Sequence, residues 1–108
     1  METLSTKNPT EEHRALHIDI APIKRATFIL KAVNHELRQQ ILHLIHEHGR
    51  LSVGQIYKQL QLEQSIASQH LSYLRKAGIV ETAREGNFIY YSINHDRLDE
   101  IHRVANSL

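Results

Sequence analysis

The sequence has no cysteine among its 108 residues. That absence excludes disulfides, thiolate metal ligands, thiol redox switches and cysteine nucleophiles together. Glycine occurs four times and proline twice, so no glycine-rich loop is available to cradle a phosphate. Neither a Gly-x-Ser-x-Gly elbow nor a His-Glu-x-x-His pair is present. Glu81 and Glu85 flank a predicted hairpin, where paired carboxylates would lack a pocket for acid–base work. An enzyme is not expected. No apolar run approaches the ~18 residues of a membrane span, and residues 1–7 carry no signal-peptide core. A cytoplasmic protein without a membrane partner is expected.

A strong charge of one sign is also missing. The formal net charge of +1 forces no partner. Its distribution says more: residues 1–21 carry four acids against two bases, whereas residues 22–63 carry six bases against three acids. A mildly basic middle is compatible with a phosphate-facing surface. With 41% apolar and 23% charged residues, the chain reads as one ordinary globular domain. Its length is at the small end, where dimerisation adds useful burial. Nine histidines are many for this length. Histidine can titrate, ligate a metal or simply decorate a helix surface.

Residues 1–20 are polar, include Asn8-Pro9 and show no period, so they read as a flexible arm with a short turn near residues 11–16. A single domain over 21–108 follows. Pro22 suits the first turn of a helix, and Ile23, Ala26, Leu30 and Val33 then share one face. Asn34 is the expected N-cap of a second helix over 35–48, with the apolar stripe Leu37, Ile41, Leu44, Ile45 and a stop at Gly49. Ser52-Val53-Gly54-Gln55 has the form of a capping box and opens a short third helix. After a turn at residues 61–63 a fourth helix is expected over about 65–77, with Ser65 as N-cap, Gly78 as terminator and Ala67, Leu71 and Leu74 facing inward. The period then changes to two. Residues 79–84 and 88–93 read as strands joined at Glu85-Gly86-Asn87, with Tyr90 and Tyr91 on opposite faces. Leu98, Ile101, Ala105 and Leu108 recur at helical spacing in a last helix from about residue 95. The fold class expected is mainly α with a small β-hairpin, in the order α-α-α-α-β-β-α. A short helix, a turn, a longer helix and then a hairpin make a winged helix-turn-helix.

The fourth helix carries the chemistry. Its outer face offers Ser65, Ser68, Gln69, Ser72 and Lys76, with Tyr73 and Arg75 flanking, and no acid occurs between Gln64 and Ala77. Short hydrogen-bonding side chains and a basic end suit a helix lying in the major groove, where carboxylates would repel phosphate. A merely solvated helix more often carries Glu/Lys pairs one turn apart. Arg84 and Asn87 at the hairpin tip are further candidates for double-stranded DNA contact, against the reading of a plain exposed turn.

Residues 65–80, Ser-Ile-Ala-Ser-Gln-His-Leu-Ser-Tyr-Leu-Arg-Lys-Ala-Gly-Ile-Val, resemble the signature of the ArsR/SmtB-type repressors, Ser-x-x-Ser-x-His-Leu-x-x-Leu-x-x-Ala-Gly-(Leu/Ile)-Val. Residues 33–42 are similar to the start of that family's second helix, and residues 84–93 to its wing. The likeness covers about residues 22–108. It implies a homodimer built from the first and last helices, reading an inverted repeat in promoter DNA, with repression relieved by an effector. His70 matches the family histidine, and its place beside Leu71 and Leu74 leaves packing and direct readout equally open. The dimer has independent support, because Ile23, Leu30, Leu98, Ile101, Ala105 and Leu108 form apolar stripes on the terminal helices.

The sequence departs from the family's metal sensors. Thiolate sensors carry a Cys-x-Cys-type pair on the third helix, and residues 52–60 hold no cysteine. Zinc-type sensors carry Asp-x-His at the start of the last helix. Here the corresponding residues are His95-Asp96-Arg97, and a guanidinium cannot ligate a cation. The distal ligand pair is missing as well. No cofactor is therefore expected, and the effector is unnamed. His95, Asp99 and His102, at i, i+4, i+7, are the residues that would serve a metal if one bound; His43, His46 and His48, and His13 with His17, are further clusters. Two alternatives stay open: a winged helix used for protein–protein contact without a specific DNA target, and a repressor responding to metal or pH through histidine.

Overall fold

The structure of the chain, a computed structural model, describes residues 15–107. Most of the expected arm, including His13, and the last expected interface residue, Leu108, lie outside the described residues. The order is α1 (Ile20–Val33), α2 (Glu36–His48), β1 (Leu51–Ser52), α3 (Val53–Gln59), α4 (Gln64–Lys76), β2 (Val80–Glu85), β3 (Phe88–Ile93) and α5 (His95–Asn106). This is the expected five-helix winged arrangement with one strand more than the sequence showed. Strand β1 runs antiparallel to β3, with Leu51 opposite Tyr91 and Ser52 opposite Tyr90. The sheet order is therefore β1-β3-β2.

The helix ends explain the element boundaries. Asn34 closes α1, donating its N–H to the Leu30 carbonyl at 2.9 Å. The N-cap of α2 thus falls to His35, whose Nδ1 accepts from the Leu37 N–H at 3.2 Å. This corrects the expectation that Asn34 begins the second helix. The Ser52–Gln55 capping box is present in both directions. Gln61, at φ 55°, turns the chain into α4 early enough for Glu63 to be its N-cap. Ser65 is therefore inside the first turn rather than the cap that the sequence suggested. At the far end Gly78 sits at φ 76°. Its N–H bonds to the Arg75 carbonyl at 2.9 Å and the Ile79 N–H to the Leu74 carbonyl at 3.0 Å, a complete Schellman motif. Ile79 belongs to this cap, which is why β2 starts one residue later than expected. The hairpin turns on two residues, Gly86 and Asn87. Only Gly86 has positive φ, at 62°, the requirement of a II′ turn.

One core lies where α2, α3, α4 and the sheet meet. Ile41, Ile45, Ile56, Leu71, Leu74, Ile79 and Val80 are fully buried. In α1 the apolar stripe is divided between core and surface. Ala32 is buried and Ile29, Leu30 and Val33 pack on the core, but Ile23 stays 53% exposed and Ala26 is exposed too. The first half of α1 lacks a partner within the protomer. Among the described residues no helix is long and apolar enough to cross a membrane.

Candidate nucleic-acid interface

Helix α4 divides cleanly into two faces. Ala67, Leu71 and Leu74 are fully buried, whereas Ser65, Ser68, Gln69, Ser72, Arg75 and Lys76 are exposed. The inward residues fix the helix on the core, and the outward residues are left with short polar or basic ends. Tyr73 does not join that row. It is half-buried, with its ring stacked on Phe28 at 4.6 Å and under the Arg38 guanidinium at 4.0 Å. Arg38 itself is buried, and its Nε and Nη1 make no hydrogen bond. Its contact with the tyrosine face is a cation–π one. The sequence pattern around α2 carried no signal for a buried arginine.

His70 is half-buried as well. Its ring lies 4.8 Å from that of His35, the cap of α2. Burial, and then the neighbouring His35 and Arg38, push its pKa below the ordinary imidazole range. The His70 ring joins α4 to α2 at this contact.

The wing lies on the same side of the molecule as the start of α4. Asn87 and Phe88 line one depression together with Gln64 and Tyr57. Arg84 is exposed and donates from Nε to the Gly86 carbonyl at 3.3 Å, so it braces the turn that carries Asn87. Sequence reasoning passed over Arg50. Its guanidinium pairs with the Glu85 carboxylate and lies 4.2 Å over the Tyr90 ring. The hydrogen bond from Arg50 holds the Glu85 carboxyl below its usual range and raises Arg50 in turn. A carboxylate beside the wing tip is thereby matched by a cation.

Comparison with known proteins places this arrangement. Residues 35–82 match the sequence profile described as bacterial regulatory protein, arsR family. The chain is 38% identical over 85 residues to the uncharacterized HTH-type transcriptional regulator MJ1325 of Methanocaldococcus jannaschii, over 79% of this chain and 96% of that protein. The chain belongs to the arsR family. Another relative is the transcriptional repressor PagR of Bacillus anthracis, 36% identical over 74% of this chain and 80% of PagR. The PagR crystal structure matches with a TM-score of 0.64 at 32% identity, covering 81% of this chain and 99% of that one. The transcriptional activator HlyU of Vibrio cholerae is 40% identical over 65% of this chain and 64% of its own length. This arsR-family chain is accordingly a DNA-binding transcription regulator and not an enzyme.

Arg97, at the second position of the zinc-type site, donates from Nε to the Ala77 carbonyl at 3.2 Å and from Nη1 to Glu100 at 2.9 Å. It ties α5 to the end of α4. His95, Asp99 and His102 are exposed on α5, and among the described residues no three His, Asp or Glu side chains are already placed to hold a cation. Of the expected interface residues, Ile23 and Ala105 are exposed, Leu30 and Leu98 half-buried, and Ile101 is 9% exposed. Ile101 thus serves chiefly the protomer's own core.

Proposed function

We propose that the protein binds an inverted-repeat operator as a homodimer, with α4 of each protomer in a major groove and the wing beside it, and represses transcription there. The observation that carries this reading is the exposed acid-free row Ser65, Ser68, Gln69, Ser72, Lys76 on a helix pinned by three buried residues. Ser68 and Gln69 are assigned to base edges, and Ser65, Ser72, Arg75 and Lys76 to bases or phosphates. Arg84 and Asn87 extend the interface from the wing, and His70 supports α4 from behind. The dimer is supported by apolar surface that one protomer leaves open. Ala26, Ile29, Leu30, Ile101 and Val104 line a groove between α1 and α5, and Ile20 and Ile23 on α1 and Val104 on α5 are about half exposed. A two-fold particle sets the two reading helices about 34 Å apart, one DNA turn.

A gel-shift series on DNA upstream of the chain's own gene tests the reading. Ser68→Ala with Gln69→Ala is expected to weaken binding by about 1–3 kcal/mol for each base-edge hydrogen-bonding group removed. Unchanged binding by the double variant contradicts the assignment of α4. The sign of regulation is tested by transcription from the bound promoter. Lower output is expected, as the name of PagR supports; raised output would align the protein with HlyU instead.

A further inference from the structure

Helix α1 carries two lysines on one face. Lys24, Thr27 and Lys31 stand at i, i+3 and i+7, and all three are exposed. With Ile23 and Phe28 they line a depression of about 320 Å³ whose remaining wall is Tyr73 of α4. Neither α1 nor α4 contains an acid, so no carboxylate of either helix answers these lysines. Thr27 Oγ1 donates to the Ile23 carbonyl at 2.9 Å, which leaves the two ammonium groups and the Tyr73 hydroxyl as the donors around the depression. A third positive charge rests against the same tyrosine. The Arg38 guanidinium lies 4.0 Å over the Tyr73 ring, is 8% exposed and makes no hydrogen bond from Nε or Nη1. The ion pairs among the described residues, Arg50–Glu85 and Arg97–Glu100, do not include it. A buried cation without a counter-charge is costly, and its field is screened less by protein than by water. An anion brought to the depression offsets that cost.

We propose that this depression seats the phosphodiester backbone of the operator, so that α1 adds a DNA contact beyond the reading helix and the wing. Lys24 and Lys31 each take one phosphate, and Arg38 acts through its field without touching either. The contact presupposes α4 in the major groove. DNA is the occupant because the depression is continuous with the reading face: Tyr73 follows Ser72 directly and stands one turn from both Gln69 and Lys76. A backbone bordering the groove that α4 enters therefore passes the Tyr73 wall. The α1–α5 groove assigned to the dimer, with Ala26, Ile29 and Leu30, shares no residue with the depression.

The test is the salt dependence of operator binding by the full chain, for the parent and for Lys24→Gln with Lys31→Gln. The slope of log affinity against log salt is expected to become shallower by about one for each lysine, about two in all. Preference for the operator over a scrambled site should stay, since phosphates carry no sequence. Arg25→Gln, on the same helix but off the depression, should leave the slope as it is. Ethylation interference locates the contact: phosphates whose ethylation weakens the parent should cease to matter to the double lysine variant. An unchanged slope overturns the proposal. So does an equal change per charge in Arg25→Gln, which would be a general effect of net charge. Saturable binding of inorganic phosphate to the DNA-free parent, abolished by the lysine replacements while the slope stays, would also overturn it and assign the depression to a small anion. Both lysines are exposed, and circular dichroism verifies that the variants fold. Ser68→Ala with Gln69→Ala decides the α4 reading separately, because it should remove operator preference and keep the slope. Lost preference there beside an unchanged slope in the lysine variant would sink the α1 contact alone.

Discussion

Arg97 on α5 and Ala77 at the end of α4 are joined by a hydrogen bond of 3.2 Å from guanidinium Nε to the main-chain carbonyl. The bond satisfies a carbonyl at the helix end and places a positive group at the negative pole of α4. It gives Arg97 a structural task at a position where zinc-type members of the family would hold a ligand. Replacing Arg97 with Ala should lower unfolding free energy by about 1–2 kcal/mol, as expected for a charged hydrogen bond at a half-exposed site. Most of this stabilisation should persist when Glu100 alone is replaced, because exposed ion pairs add little. Urea denaturation of the two variants separates these contributions.

Gly78→Ala should also destabilise the protein, by about 1–2 kcal/mol. Its φ of 76° is the conformation that an L side chain resists, and an added Cβ would stand 3.3 Å from Arg97 Nε. Because the two residues touch, Gly78→Ala and Arg97→Ala should be non-additive in a double-mutant cycle. Strict additivity would show that the close approach has no energetic weight.

Leu71→Ala should cost about 2–5 kcal/mol, the range for deleting a fully buried leucine. Ser68→Ala, three residues earlier on the exposed face, should stay within about 0.5 kcal/mol of the parent in stability while weakening DNA binding. Thermal melts beside DNA titrations provide both readouts, and they should rank the two variants in opposite order per unit of stability lost.

His70 makes stability depend on pH in a defined direction. Its folded pKa is lowered by burial and then by the neighbouring His35 and Arg38, so the unfolded chain binds the proton first. Stability should be full above about pH 6.5, the ordinary imidazole value, and decline as pH falls from there toward the folded value. His70→Gln should flatten that part of the curve. Denaturant midpoints measured across the acid range would reveal an unchanged slope if another group were responsible.

Much of this arrangement was legible in the residues themselves. The Ser52–Gln55 box, the buried triad Ala67, Leu71, Leu74 and the stop at Gly78 are local signals, and the structure realises each of them. What failed to show in the sequence depends on tertiary pairing. Two residues are too few for β1 to display an alternation, and its partners Tyr90 and Tyr91 are supplied by a distant strand. The burial of Arg38 against an aromatic face depends on Tyr73, which a different helix brings under it. The edge-to-face contact of His46 with His95 has the same origin, since the two rings come from different helices. In α1 the helical period is realised, and its second half alone packs within the protomer because the first half has nothing there to pack on.

The central claim is that the serine-lined exterior of α4 reads a major groove twice in each particle. Methylation protection of guanine N7 on the operator probes that groove directly. The expected pattern is two protected clusters centred about 10 base pairs apart, both lost when Ser68 and Gln69 are replaced by Ala. A single cluster, no protection in the major groove, or protection that survives the double replacement would contradict it.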